Sequence, residues 1–397
     1  MSTLSLVFVN LLRNKRRTFL TLFSVTVALF LFCALGGVLD TLQDSIKVGS
    51  ESHLVTRNAI SLVFPMPLSY RERIAAVPGV KRVALQQWFG GTDPNNPHNF
   101  FAQFAVDPVF FQIYENDFGL VDASPPQARV AMPPGLDSKF QAFMAEQNAC
   151  IVGRKLMEKM HWRLGQTVHV SGTIWPGDWP FVIRGVYASK KKSIGEEVMY
   201  FHWKYLNERG MAGQGQIGLY VLDLDNPERA ADIARTVDAM FVNSSAATHT
   251  ETEKAFQAGF VSMYGNLPFV LRVIGLAVVF AILLIAANTM VMAIRERTRE
   301  FGVLKTLGFQ NSTVFRMVVL EAAIITVGGG AIGALLAKGL LERGGFNMGG
   351  FLPPMTIYWQ TVIIGIAIAA LVGAVSGLIP AWQASRLRIV DALRRVD

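Results

Sequence analysis

The segment VIGLAVVFAILLIAANTMVMAI, residues 273–294, runs straight into RERTREFGVLKTLG, residues 295–308. The first string holds no charged side chain and is long enough, at about 20 apolar residues, to cross a bilayer as a helix. The second carries Arg295, Arg297, Arg299 and Lys305. Placing four such side chains in hydrocarbon costs about 10 kcal/mol at roughly 2.5–3.5 each, so the span ends near Ile294.

Three further windows qualify: Thr18 to Leu39, Met317 to Ala337 and Ile357 to Leu378. Only the Met317 window holds a charge, Glu321, whose cost of roughly 3 kcal/mol its apolar neighbours offset. Composition agrees with a membrane class: 51% of the 397 residues are hydrophobic, 17% are charged, and mean hydropathy is +0.35. Soluble domains carry about 25% charged residues. Arg13, Lys15, Arg16 and Arg17 before the first window resemble the n-region of a signal peptide, but that window exceeds the roughly 7–15 apolar residues of a secretory signal. It reads as an uncleaved anchor, with Phe32 before Cys33 where a lipoprotein signal needs a small residue.

Orientation follows the basic clusters at 13–17, 295–305 and 386–395, which belong inside. An inner N-terminus followed by four crossings then places the bulky middle of the chain outside. The chain divides into a helical segment 1–17, spans at 18–39, 268–294, 312–337 and 355–380, an outer domain 40–267, an inner segment 295–311, an outer loop 338–354 and an inner tail 381–397. Leu4, Val7, Phe8, Leu11 and Leu12 line one face of 1–17, which lies in the inner interface or extends the first span. Tyr358, Trp359 and Trp382 suit the interfacial aromatic belt. The net charge of +8 is not a nucleic-acid signature, because the basic residues flank apolar spans rather than one soluble face. Gly329-x-x-x-Gly333 and Gly373-x-x-x-Gly377 allow close helix packing within the four-helix unit.

The fold class expected is a membrane protein with four transmembrane helices and a large α+β extracytoplasmic domain between the first two. In that domain Ser69 to Ala76 and Pro227 to Phe241 read as helices, the latter apolar at Ile233, Val237, Met240 and Phe241. Val80 to Trp88, Thr167 to Val170, Phe181 to Val186 and Ile217 to Leu224 read as strands. Residues 93–99 and 124–135 are loops, and the Trp175 to Pro180 turn folds its two indoles back. Lys190 to Lys192 form a solvated basic loop.

No phosphate-cradling G-x-x-x-x-G-K-[ST] loop occurs, none of the six histidines falls in a metal-ligand spacing, and no G-x-S-x-G nucleophile turn appears. Asp223 and Asp225 are explained by turn chemistry. Cys33 and Cys150 give no expected disulfide. The chain is expected to be no enzyme by itself, with no catalytic, cofactor or metal site.

Within 295–308, Phe301, Leu304 and Leu307 recur at helical spacing, Gly308 stops the helix, and Asn311 or Ser312 caps the next. The pattern Arg-x-Arg-x-x-Glu-Phe-Gly-x-Leu-Lys-x-Leu-Gly resembles the cytoplasmic coupling segment of MacB-like and FtsX-like ABC permeases, where Ile is common at the position of Phe301. The ending from Pro380 to Arg394 resembles the family tail, with Ile389 where Pro is usual. Glu321 before its Gly-rich run, and Val55 to Ala59, Pro78 to Val80 and Gly153 to Val170 in the outer domain, resemble the same family. The resemblance implies a coupling helix, carried by Arg297, Arg299, Glu300, Phe301, Gly302, Leu304, Lys305, Leu307 and Gly308, that docks a separate ABC ATPase, which binds ATP and Mg. It implies a second permease subunit, and a periplasmic adaptor and outer-membrane channel in some members. It further implies motion relayed to the outer domain, exporting or extracting a hydrophobic compound, peptide or lipoprotein, or gating a cell-wall hydrolase. Glu321 would anchor its span by pairing with Arg316.

Overall fold

The computed structural model describes residues 13–96, 99–126, 128, 130–190, 195–210, 214–262, 265–343 and 355–387. The amphipathic segment from Leu4 to Leu12, most of the 338–354 loop, Lys191, Lys192 and the tail beyond Leu387 lie outside them. The chain forms two compact units: one gathers 1–41, 266–346 and 355–397, the other 42–265 and 347–354.

The first unit is built on α1 (Lys15–Val48), α2 (Leu267–Glu296), α3 (Thr298–Thr306), α4 (Asn311–Arg343) and α5 (Trp359–Ser385). Four of these are long and apolar enough to cross a membrane, and α3 is the short exception. At about 1.5 Å per residue, the 34 residues of α1 exceed the roughly 30 Å of hydrocarbon, so the helix runs well past the apolar window ending at Leu39. On α2, Ile282, Ala286, Met290 and Ala293 are buried at steps of three and four, whereas Leu276, Phe280 and Leu284 are exposed. That division is the pattern of a helix with one face on its neighbours and one on lipid.

Helix α4 packs chiefly against α5. At Gly329 an added Cβ would stand 2.9 Å from the Leu22 carbonyl of α1, and at Gly333 it would meet the Thr26 carbonyl. Thr26 Oγ1 donates to Gly329 O at 3.2 Å, so α1 and α4 touch backbone to backbone. On α5, a Cβ at Gly373 would strike Thr326 Oγ1, and one at Gly377 would lie 3.1 Å from Ala322 Cβ. The four glycines therefore serve close helix approach inside this unit.

The second unit is a mixed α+β domain. Its strands are β1 (His53–Asn58), β2 (Met66–Pro67), β3 (Val80–Trp88), β4 (Gly91–Thr92), β5 (Ala102–Val106), β6 (Phe118–Ala123), β7 (Ala149–Gly153), β8 (Thr167–Gly172), β9 (Gly177–Ser189), β10 (Val198–His202), β11 (Gln216–Ile217), β12 (Leu219–Leu224) and β13 (Thr248–Thr252). The main sheet runs β13-β1-β12-β3-β5-β10-β7-β9-β8-β4, with β6 also on β9 and a separate β11-β2 pair. Pairs β10–β5 and β7–β9 are parallel and the rest antiparallel. The Pro227 to Phe241 stretch starts as a 3-10 turn capped by Asn226 and continues as a helix from Ala230, burying Ile233, Val237 and Phe241 against Tyr70, Ile74 and Tyr220. Edge strand β13 is blunted because Asp238 on that helix accepts from Thr250 N at 3.0 Å. Trp179 is buried within β9, and the Trp175 indole donates to Trp88 O at 3.3 Å, so both rings turn inward. Both cysteines are buried and free.

Candidate functional site

The segment 295–308 folds as a corner followed by a short helix. Arg297 closes α2, donating its N–H to Ile294 O, and its own carbonyl accepts from Phe301 N to open α3. At the far end Gly308 takes φ +89. Its N–H donates to Lys305 O and that of Phe309 to Leu304 O, both at 3.1 Å, a paired closure that needs a left-handed residue. The next helix is opened by Gln310, whose carbonyl accepts from Thr313 N and Val314 N, one place before the expected Asn311 and two before the expected Ser312.

Three attachments fix α3 to the spans. Phe301, 2% exposed, packs with Ile294, Val314, Val318, Ala381 and Ala384. Lys305 Nζ donates to Ser385 O at 2.7 Å and Leu387 O at 2.8 Å, closing the C-terminal end of α5 where unpaired carbonyls gather. Desolvation holds the Lys305 pKa below the ordinary lysine value. Third, Arg297 Nη1 donates to Glu321 Oε2 at 2.8 Å, with side chains 12% and 7% exposed.

This last contact corrects one expectation. Glu321 pairs with Arg297 rather than Arg316. Residues five apart on one helix point roughly 140° from each other at 3.6 per turn, and Arg316 is exposed while Glu321 faces the packed side. Arg297 also reaches Glu300 at 3.2 Å and lies 5.5 Å from the centre of the Phe301 ring. Glu300 in turn pairs with Arg13, and Glu296 takes Arg17 Nη1 at 2.6 Å. The chain Arg13–Glu300–Arg297–Glu321 thus links the residues before α1, α3, the end of α2 and the body of α4, with Arg17–Glu296 a separate pair between α1 and α2.

The expected grouping of Phe301, Leu304 and Leu307 on one face is divided by the fold. Phe301 and Gly302 are buried and Leu304 is half-buried, but Leu307 is 71% exposed. The outward side instead carries Arg299, Val303, Thr306 and Leu307, with Gly308 exposed beyond. Periodicity missed Val303 because a nine-residue helix with few apolar positions fits two stripes equally well. The pairs Arg17–Glu296 and Arg297–Glu321 carried no signal in spacing, since each joins different helices. Among the described residues no group of three His, Cys, Asp or Glu could hold a metal ion.

Four membrane-crossing helices, a large α+β unit between the first two and a fastened short helix between the second and third define a multi-pass membrane protein with an extramembrane domain. The model of the FtsX-like permease C-terminal region matches residues 272–389, and that of the MacB-like periplasmic core domain matches 18–240. The chain belongs to the ABC transporter permeases of this MacB-like and FtsX-like family.

Among relatives, the uncharacterized ABC transporter permease YknZ of Bacillus subtilis is 23% identical over 64% of this chain and 63% of its own length. The macrolide export ATP-binding/permease protein MacB of Shewanella sp. is 28% identical over 57% of this chain but 35% of its own. An uncharacterized ABC transporter permease of Methanocaldococcus jannaschii is 21% identical over 98% of this chain and 97% of its own. The chain thus spans about a third of the macrolide exporter and under two thirds of the Bacillus permease. A solved periplasmic region of MacB from Actinobacillus actinomycetemcomitans aligns with TM-score 0.38 at 9% identity, covering 54% of this chain and 95% of that one.

Proposed function

We propose that this chain is the permease subunit of an ABC transporter and that the outward side of α3, carrying Arg299, Val303, Thr306, Leu307 and Gly308, seats on a separate ABC ATPase. The observation that carries this reading is the asymmetry of α3: its inner side is fastened by Phe301, Lys305 and Arg297, while Val303 and Leu307, 48% and 71% exposed, lie together one turn apart on its outer side. A helix held in this way passes force to the spans instead of sliding along them.

In this reading the arginine-bearing ends, and both chain termini, face the cytoplasm, and the 42–265 unit stands outside. ATP and Mg belong to the partner, whose closure presses the α3 helices of two permease subunits together. The spans relay that movement to the outer domain, which moves a hydrophobic compound, peptide or lipoprotein from outside the hydrocarbon core. Charged side chains are sparse along the spans, which supports transmission of force rather than a polar path through the membrane. An adaptor and outer-membrane channel complete the path where an outer membrane exists.

The test is co-purification from native membranes. Leu307→Asp should abolish recovery of an ABC ATPase with the permease, while the chain still inserts and its outer domain stays folded. Recovery of the ATPase at wild-type level with Leu307→Asp and Val303→Asp combined would refute the docking surface.

A further inference from the structure

The basic ends of α1 and α2 enclose a cavity of 160 Å3 lined by Arg13, Asn14, Arg17, Glu296 and Arg297. Three guanidiniums and an amide therefore surround one lining carboxylate. Arg297 is occupied by Glu300 and Glu321. Arg17 gives Nη1 to Glu296 Oε2 at 2.6 Å, Asn14 Nδ2 lies 3.4 Å from the same oxygen, and Arg13 pairs with Glu300. A guanidinium has five N–H donors, so one carboxylate contact leaves capacity for a second acceptor of matching geometry.

The cavity also has a defined depth. The apolar window of α1 begins at Thr18 and that of α2 ends at Ile294, so its lining residues stand within about one and a half turns of where both helices leave hydrocarbon. That is the level of lipid phosphates, and basic pockets between spans recognise anionic headgroups there.

We infer that this cavity binds the phosphate of an anionic phospholipid. Arg13 and Arg17 hold the phosphate oxygens, Asn14 adds a donor, and Glu296 is the internal acceptor with which the phosphate competes for Arg17. Glu296, 54% exposed, has room to swing toward water when displaced. Because Arg13 also pairs with Glu300 on α3, the bound lipid braces the seat of that helix. The inference uses the function proposed above only to name the leaflet, the cytoplasmic one.

The full-length chain is reconstituted in nanodiscs of phosphatidylcholine with or without a minor fraction of phosphatidylglycerol. Retained phosphatidylglycerol is counted by native mass spectrometry, and the melting temperature is followed in parallel. Arg13→Gln combined with Arg17→Gln should lower retention roughly tenfold, the scale of one or two lost charge-assisted hydrogen bonds. Arg16→Gln, exposed on the same turn, should leave retention unchanged. Glu296→Gln should raise it, and since this variant keeps every arginine it remains informative if the double variant does not fold. An equal loss in Arg16→Gln would mark unspecific surface attraction and overturn the site, as would weaker retention in Glu296→Gln. Inorganic phosphate added to phosphatidylcholine discs should not raise the melting temperature; a rise would assign the cavity to a soluble anion and overturn the lipid.

Discussion

Removing one partner of the Arg297–Glu321 pair should free α3 from α4. The two groups meet at 2.8 Å with 12% and 7% of their side chains exposed, so whichever survives is left as a charge out of water. Breaking a buried pair in this way costs about 3–5 kcal/mol. Glu300 stays 3.2 Å from Arg297 and supplies partial compensation, which places Glu321→Gln near the lower end, about 3 kcal/mol. At about 1.4 kcal/mol per decade, that is roughly a hundredfold in the equilibrium holding α3 in place. Replacing both partners by apolar side chains, Arg297→Met with Glu321→Leu, leaves no stranded charge and should return close to wild type. The assay is a double-mutant cycle on the full chain in nanodiscs, read by thermal unfolding and by amide hydrogen exchange within residues 298–306. A coupling energy below about 1 kcal/mol, the range of exposed ion pairs, would refute the buried clamp.

Gly308→Ala should cost about 1–2 kcal/mol, the penalty for an L side chain at φ +89, and speed amide exchange in the last turn of α3. Gly329→Ala, whose Cβ would meet the Leu22 carbonyl, should separate α1 from α4 at a cost of about 1–3 kcal/mol, lowering the melting temperature of the detergent-held chain. His202 donates Nε2–H to Phe143 O at 2.8 Å and stacks on that ring, and burial, reinforced by Lys204, lowers its pKa from the ordinary 6.5. The proton then favours the unfolded chain, so outer-domain stability should be full above pH 6.5 and fall as pH drops through the lowered value; urea unfolding across that window should show an acid limb that His202→Leu flattens.

What the sequence made legible were features set by local spacing. Long apolar windows, three of them charge-free and the third span holding only Glu321, located the four spans, because exclusion of charge from hydrocarbon acts on each segment alone. Strand β3 coincides with the expected Val80 to Trp88, since its apolar residues sit between the turn signal at Pro78-Gly79 and a loop. Gly308 announced the end of α3 for the same reason. The extent of α1 was not legible: beyond Leu39 it continues as a polar helix to Val48, where hydropathy falls silent but the hydrogen-bond ladder does not.

Side-chain pairing between helices was the least legible layer, and Glu321 shows why. Its own helix offered Arg316, which the helical repeat turns away, while the corner after α2 brought in Arg297, twenty-four positions earlier in the chain. Spacing within one helix constrains direction, and a tight corner constrains reach; only their combination selects the partner. Val303 and Leu307 pose the converse problem. Both were visible as apolar residues, yet their outward direction depends on Phe301 and Lys305 being drawn inward by α4 and α5. The side of α3 proposed to dock the ATPase is therefore fixed by the contacts that hold the opposite side down, so if that proposal holds, a change at Arg297 or Lys305 should alter docking without touching the proposed surface itself.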